Sequence, residues 1–160
     1  MHFQPLALLS LVLSLGGTTT AAPVTTASSE PGAMETAQDP SGMSPASPLF
    51  KRDLAGWITY YHAGLGACGW RNTGTERVVA MSRLFFNKYN VDANPNNNLL
   101  CGHWISVTYQ GKTVEARIVD MCGRCAHNDI DLSQAAFKAL APLSVGMMQG
   151  SWKMIPRPSA

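Results

Sequence analysis

No apolar run in this 160-residue chain approaches the ~20 residues that a helix needs to cross a bilayer. The longest, Leu6 to Leu15, is followed by Gly16-Gly17 and the small residues Thr20-Ala21-Ala22. That is the pattern of a cleavable signal peptide over residues 1–22, not of a membrane anchor. Basic residues form no cluster beyond the pair Lys51-Arg52, which argues against a nucleic-acid partner. Asn-x-Ser/Thr is absent, so N-glycosylation is not expected. Large apolar residues are scarce from Pro23 to Phe50, where Thr, Ser, Pro, Ala and Gly dominate. Such a stretch buries too little surface to offset its ordering entropy and is expected to be disordered.

What is present begins where those absences end. Lys51-Arg52 closes the polar stretch with a basic pair open to a secretory-pathway protease, so residues 23–52 read as a removable propeptide. The remainder, 53–160, is one domain's length. It loses Lys51, Arg52, Glu30, Glu35 and Asp39 with the leader, which turns 12 cations and 10 anions into ten and seven and leaves it mildly basic. All four cysteines, Cys68, Cys101, Cys122 and Cys125, lie in this part. An even count in a small exported domain implies disulfides, with three connectivities open. Cys122-Gly123-Arg124-Cys125 also has zinc-ligand spacing, but a single such pair on an oxidising route favours bridges, and no metal or other cofactor is expected.

Strand-like runs are short and turn signals dense, which predicts a mainly β domain. Gly56 to Tyr61 is aromatic and β-branched, and Val78 to Met81 makes a second strand. Leu84-Phe85-Phe86 follows as a short buried turn or helix, and the Asn-rich segment from Asn87 to Leu100 reads as loop. Trp104 to Tyr109 alternates, turns at Gln110-Gly111 and returns through Thr113 to Val119, delivering Asp120 at the strand's end. Asp131-Leu132-Ser133 opens a helix capped by Ser133 and striped by Ala136, Phe137 and Leu140. Met147 to Ile155 is the closing strand, with a bulge expected at Gly150.

Taken in order, Thr59-Tyr60-Tyr61, Gly64 to Gly69, Asn94-Pro95-Asn96 leading to Cys101-Gly102, Val119-Asp120 before Cys122 to Ala126, and Asp131 to Phe137 resemble the expansin-related, RlpA-like double-psi β-barrel family. The chain resembles especially the family's small single-domain secreted fungal members, such as the loosenins. The resemblance runs from about Gly56 to Trp152. It implies a closed six-stranded double-psi barrel with one or two short helices, and the pairings Cys68–Cys101 and Cys122–Cys125. It also implies a polysaccharide-contacting groove built on residues matching Thr59, Asp120 and Asp131. In the expansins a groove tyrosine stands where this chain has Cys122.

Those two carboxylates are the candidate catalytic or binding groups, because a carboxylate accepts hydrogen bonds from sugar hydroxyls and can hold a proton at a glycosidic oxygen. The bland alternative gives Asp120 a role with backbone N–H groups of the Cys122 loop, and Asp131 one at the helix start. Hydrolysis ordinarily needs a second carboxyl across the bond. Trp57 to Tyr61 holds none where related glucanases carry one, and His103 does not fit the histidine motif of the related lytic enzymes. Trp57, Tyr60, Tyr61, Trp70, Trp104 and Trp152 are candidates for stacking on sugar; most are expected in the core, as large aromatics of small domains usually are, with Tyr61 and Trp70 favoured for exposure. His62 and His127 are expected on solvated loops.

The leading expectation is a secreted, monomeric, non-hydrolytic protein that binds and loosens cell-wall polysaccharide such as cellulose, chitin or another glucan. A protein-binding module such as a cysteine-protease inhibitor or effector is the alternative, since related small barrels serve as papain inhibitors and rigid stapled loops suit a binding edge. A weak lytic enzyme is the third.

Overall fold

In the computed structural model the alternating runs become six strands: β1 (Leu54–Tyr61), β2 (Val78–Ser82), β3 (Trp104–Tyr109), β4 (Lys112–Cys122), β5 (Ile130–Ser133) and β6 (Met148–Ile155). Two short helices, α1 (Arg83–Phe86) and α2 (Gln134–Leu140), lie between them. Residues 43–159 are described; all belong to the unit Thr36–Ala160. The expected signal peptide and the leader up to residue 42 lie outside the described residues. Among the described residues, no helix is long and apolar enough to cross a membrane.

The strands close in the order β1-β5-β2-β4-β3-β6, with β6 returning to β1. Pairs β1·β5 and β2·β4 are parallel, and the other four are antiparallel. Closure gives every strand two hydrogen-bonded neighbours and leaves no open sheet edge. Inside, Ile58, Val79, Met81, Ile118, Ile130 and Leu132 are fully buried. The β3–β4 hairpin turns on Gln110 (φ 46°) and Gly111 (φ 76°), the left-handed pair of a type I′ turn, whose twist suits the flanking strands.

Four local expectations are corrected. β4 does not stop before Asp120 but runs on to Cys122, because parallel pairing with β2 continues to Ser82–Cys122. No bulge occurs at Gly150, whose register with Gly56 is regular. The bulge lies instead in β4, where Val79 pairs with Ile118 but the next residue, Ala80, pairs with Asp120, so that Val119 is extra. Gly66 lies against it so tightly that an added Cβ would strike the Val119 carbonyl oxygen. Asp131 does not open the helix: Ile130–Ser133 pairs with both β1 and β2, and α2 starts only after Ser133, whose hydroxyl accepts from the Ala136 N–H at 3.3 Å. Four residues carry too short a period to announce a strand in sequence. In α1 the Ser82 hydroxyl caps the turn by accepting from the Phe85 N–H; Phe85 and Phe86 are buried, but Leu84 faces solvent.

The end of the 23–52 segment, expected to be disordered, is structured. Pro48–Lys51 forms a 3₁₀ turn that buries Leu49, and the ring of Phe50 meets His103 edge-on at 6.1 Å. Lys51 and Arg52 remain exposed. Leu49, with Met43 and Phe50, packs this segment against the core beside β6.

Trp152 links the core to the loop before β5. It is fully buried, meets Phe85 edge-to-face at 5.1 Å, and donates its indole N–H to the Asn128 carbonyl at 2.7 Å. Trp152→Phe keeps most of the volume but leaves that carbonyl unpartnered, so it should cost about 1–3 kcal/mol. Trp152→Ala should cost about 3–5 kcal/mol. Urea unfolding of the two variants measures the difference.

Candidate functional site

Pairing across the sheet builds the site. Thr59 in β1 stands opposite Asp131 in β5, Asp131 opposite Ala80 in β2, and Ala80 opposite Asp120 in β4. Directly paired residues project to the same face. The neighbours Ile58, Val79, Met81, Ile130 and Leu132 fill the interior, so the row Thr59–Asp131–Ala80–Asp120 faces outward. The Val119 bulge is what brings Asp120 into this row. With strict alternation from Ile118 it is Val119 that would stand beside Ala80, and Asp120 would turn inward.

Each polar member of the row is held. The Thr59 hydroxyl donates to Asp131 Oδ1 at 2.8 Å. Asp120 Oδ1 accepts from the N–H of Ala67 at 2.8 Å and of Met121 at 2.7 Å. The bland expectation for Asp120, acceptance from backbone N–H groups, thus describes one of its two oxygens. Asp131 is only 8 % exposed, and that burial raises its pKa above the ordinary carboxylate value. The Asp120 charge pushes the same way, while the Thr59 hydrogen bond and the Arg124 guanidinium pull it back. Tyr61, two residues beyond Thr59 on the same face, has its phenol pKa driven far upward by burial and then by Asp120 and Asp131. Thr59, Tyr61, Asp120 and Asp131 are therefore brought together.

An open groove of about 600 Å³ runs along this face, lined by Thr59, Asp131, Trp57, Asp129, Arg124, Met147 and the Cys122–Cys125 bridge. Trp57 corrects the expectation of a core side chain: it is 42 % exposed, as is Met147 at 52 %, and both offer apolar surface at the groove. The signal was readable, since Trp57, Thr59 and Tyr61 share the period-two face of β1. Asp129 was missed as well. Its Oδ1 accepts from the Trp57 N–H at 2.8 Å and its Oδ2 from the Ala126 N–H at 3.1 Å, so it ties the Cys125–Asp129 loop to β1. The Asp129-x-Asp131 spacing hinted at it. Ala80, whose methyl leaves room between the two carboxylates, gave no sequence signal. Ligand atoms of Cys122, Cys125 and Asp131 lie within 4.8 Å of one another, but both sulfurs are spent in the disulfide and offer no thiolate to a metal.

Trp70 does not join this groove. It lines a separate cavity with Arg117 and the Asn-rich loop, which the second disulfide, Cys68–Cys101, fastens to the Trp70 loop. His62 and His127 are exposed, the former at the groove and the latter with its Nε2 2.8 Å from Lys88 Nζ.

Fold and site together define a small, disulfide-stapled, six-stranded mixed barrel with an outward polar groove. Residues 80–152 match the family model described as lytic transglycolase. The chain is 36% identical over 119 residues to a papain inhibitor of Streptomyces mobaraensis, covering 72% of this chain and 80% of that protein. It belongs to the RlpA-like double-psi β-barrel family. It is also 36% identical over 104 residues to Allergen Asp f 7 of Aspergillus fumigatus, but spans only 35% of that protein. Among solved structures, the Streptomyces papain inhibitor superposes with a TM-score of 0.61 at 37% identity, covering 67% of this chain and 97% of that one. A Clavibacter michiganensis expansin in complex with cellohexaose superposes with a TM-score of 0.55 at 25% identity, covering 68% of this chain and 53% of that one.

The raised pKa of Asp131 has a defined consequence for stability. Because the folded group binds its proton more tightly than the unfolded one, stability is fullest below the unfolded pKa and falls as pH rises through the folded value. Asp131→Asn keeps an oxygen for Thr59 and removes the charge. Its Tm should exceed that of the wild type at neutral pH, with the advantage gone below about pH 3.9. Thermal melts across that range check the sign.

Proposed function

We propose that this chain is a secreted precursor whose barrel binds cell-wall polysaccharide in the groove and loosens it without appreciable hydrolysis. One observation carries the reading: Thr59 and Asp131 line the groove together with exposed Trp57 and Met147, and the outward row they belong to continues through Ala80 to Asp120 beside the groove. An indole face stacks on the apolar face of a sugar ring, and the row's hydroxyl and carboxyl groups exchange hydrogen bonds with its hydroxyls. An occupied groove would thus compete for hydrogen bonds that hold neighbouring chains of a wall polymer together. Hydrolysis finds less support, because both row aspartates rise from one wall whereas cleavage needs carboxyl groups on two sides of the bond. Asp129 does not supply the missing group, since both its oxygens already accept backbone N–H. The Clavibacter expansin, 53% of which this chain covers, is solved in complex with cellohexaose, which supports a glycan as the ligand class. Export and removal of residues 1–22 and 23–52 belong to this reading. Exposure of Lys51 and Arg52 supports cleavage there, which would release Leu49 and Phe50 from the barrel. A monomer acting at the wall is expected.

A second reading, inhibition of a cysteine protease, is favoured by the match to the papain inhibitor along nearly its whole solved length. The Gly64–Gly69 and Cys122–Ala126 loops, each held by a disulfide, would form the binding edge.

Pull-down on cellulose, chitin, glucan and peptidoglycan, with an assay for released sugar and a papain titration, tests both. Wall binding without new reducing ends is expected. Asp120→Asn should lose about tenfold in binding, the cost of one weakened charge-assisted hydrogen bond. Abundant reducing ends would overturn the non-hydrolytic reading, and stoichiometric loss of papain activity without glycan binding would replace it.

A further inference from the structure

We propose that the cavity beside Trp70 is a second binding site, for a carboxylated glycan of the uronic-acid class. It has a volume of about 570 Å³, and its lining includes Trp70, Asn96, Asn97, Arg117 and Arg157. The Cys68–Cys101 disulfide joins the two loops that wall it, so the lining is held in place without a ligand. Trp70 is 41 % exposed. The outer end of its six-membered ring approaches Gly102, where an added Cβ would come within 3.3 Å of Cη2 and where φ is +86°. Glycine there lets the indole lie close to the barrel wall while remaining open to solvent.

The charges are arranged around that ring. Arg117 is fixed in β4 by pairing with Trp104 and Val78, and its guanidinium sits 5.2 Å from the Trp70 ring centroid. Arg157 approaches from the chain segment after β6. Glu76 lies close enough to Arg117 for the guanidinium to lower its pKa, though less than the Thr73 backbone and Asn72 side chain do, and it lines a neighbouring cavity. None of the residues lining the Trp70 cavity is acidic. An indole platform takes the C–H face of a pyranose ring, carboxamides take its hydroxyls, and guanidinium groups take a carboxylate. A neutral glycan would leave Arg157 without an anion and Arg117 with only Glu76 and Glu115 of the neighbouring cavity, and an acidic peptide would leave the indole and amide groups largely unused. Uronic acid residues carry all three features on one ring. The site does not rest on the reading of the groove.

Affinity electrophoresis in polygalacturonate at low salt tests it, with insoluble cellulose as the parallel arm. The wild-type protein should be retarded by polygalacturonate and not by its fully methyl-esterified form. Trp70→Ala and Arg157→Gln should each weaken that retention by about tenfold while keeping the wild-type Tm and cellulose binding. Lys138→Gln, which removes an exposed charge on α2, should keep the wild-type retardation relative to a gel without polymer. Asp131→Asn should keep polygalacturonate retention whatever it does to cellulose binding, which separates this site from the groove. The proposal is overturned if the wild type is not retarded, if the two cavity variants are retarded as before, or if Lys138→Gln loses as much. Polyglutamate competing as well as polygalacturonate would overturn it in favour of an acidic peptide.

Discussion

Everything distinctive about this molecule depends on the double pairing of β2. This five-residue strand is buried throughout and hydrogen-bonds to β4 on one side and β5 on the other. At Ala80 the two ladders meet, bringing Asp120 and Asp131 to either side of one methyl group although eleven positions separate them in the chain. One of those pairings is parallel and the other antiparallel, so no hairpin could produce the arrangement. It needs strands that cross between distant parts of the sequence, and the closed barrel supplies them.

A closed ladder is rigid, and rigidity lets small features carry chemistry. One extra residue, Val119, turns Asp120 outward. A loop packed on that bulge supplies the Ala67 N–H that holds Asp120 in place. Burial, for its part, disfavours the charged form of Asp131. Two chemically identical side chains are thus given different surroundings within one row. The disulfides follow the same division, with Cys122–Cys125 lining the groove and Cys68–Cys101 bracing the loops around Trp70.

Much of the architecture was legible because its signals are local. The β3–β4 hairpin announced itself through alternation and Gln110-Gly111, and α2 through Ser133 and the Ala136-Phe137-Leu140 stripe. The family resemblance added the closed barrel and both disulfide pairings. What escaped was short or non-local. β5 is four residues long and reads as a helix entrance; Trp57 reads as core until its face of β1 is known; Leu49 and Phe50 read as tail until the barrel offers them a surface.

By itself the sequence determined a β-rich, disulfide-bearing domain with Asp120 and Asp131 as its polar candidates, to which the family resemblance added Thr59, because composition, turn residues and motif order are properties of neighbours along a chain. Only the tertiary structure decided that those three share one outward row, that Ala80 spaces the carboxylates, and that Trp70 serves a different cavity. Which face a side chain takes depends on register between strands far apart in sequence, and a one-residue bulge reverses it.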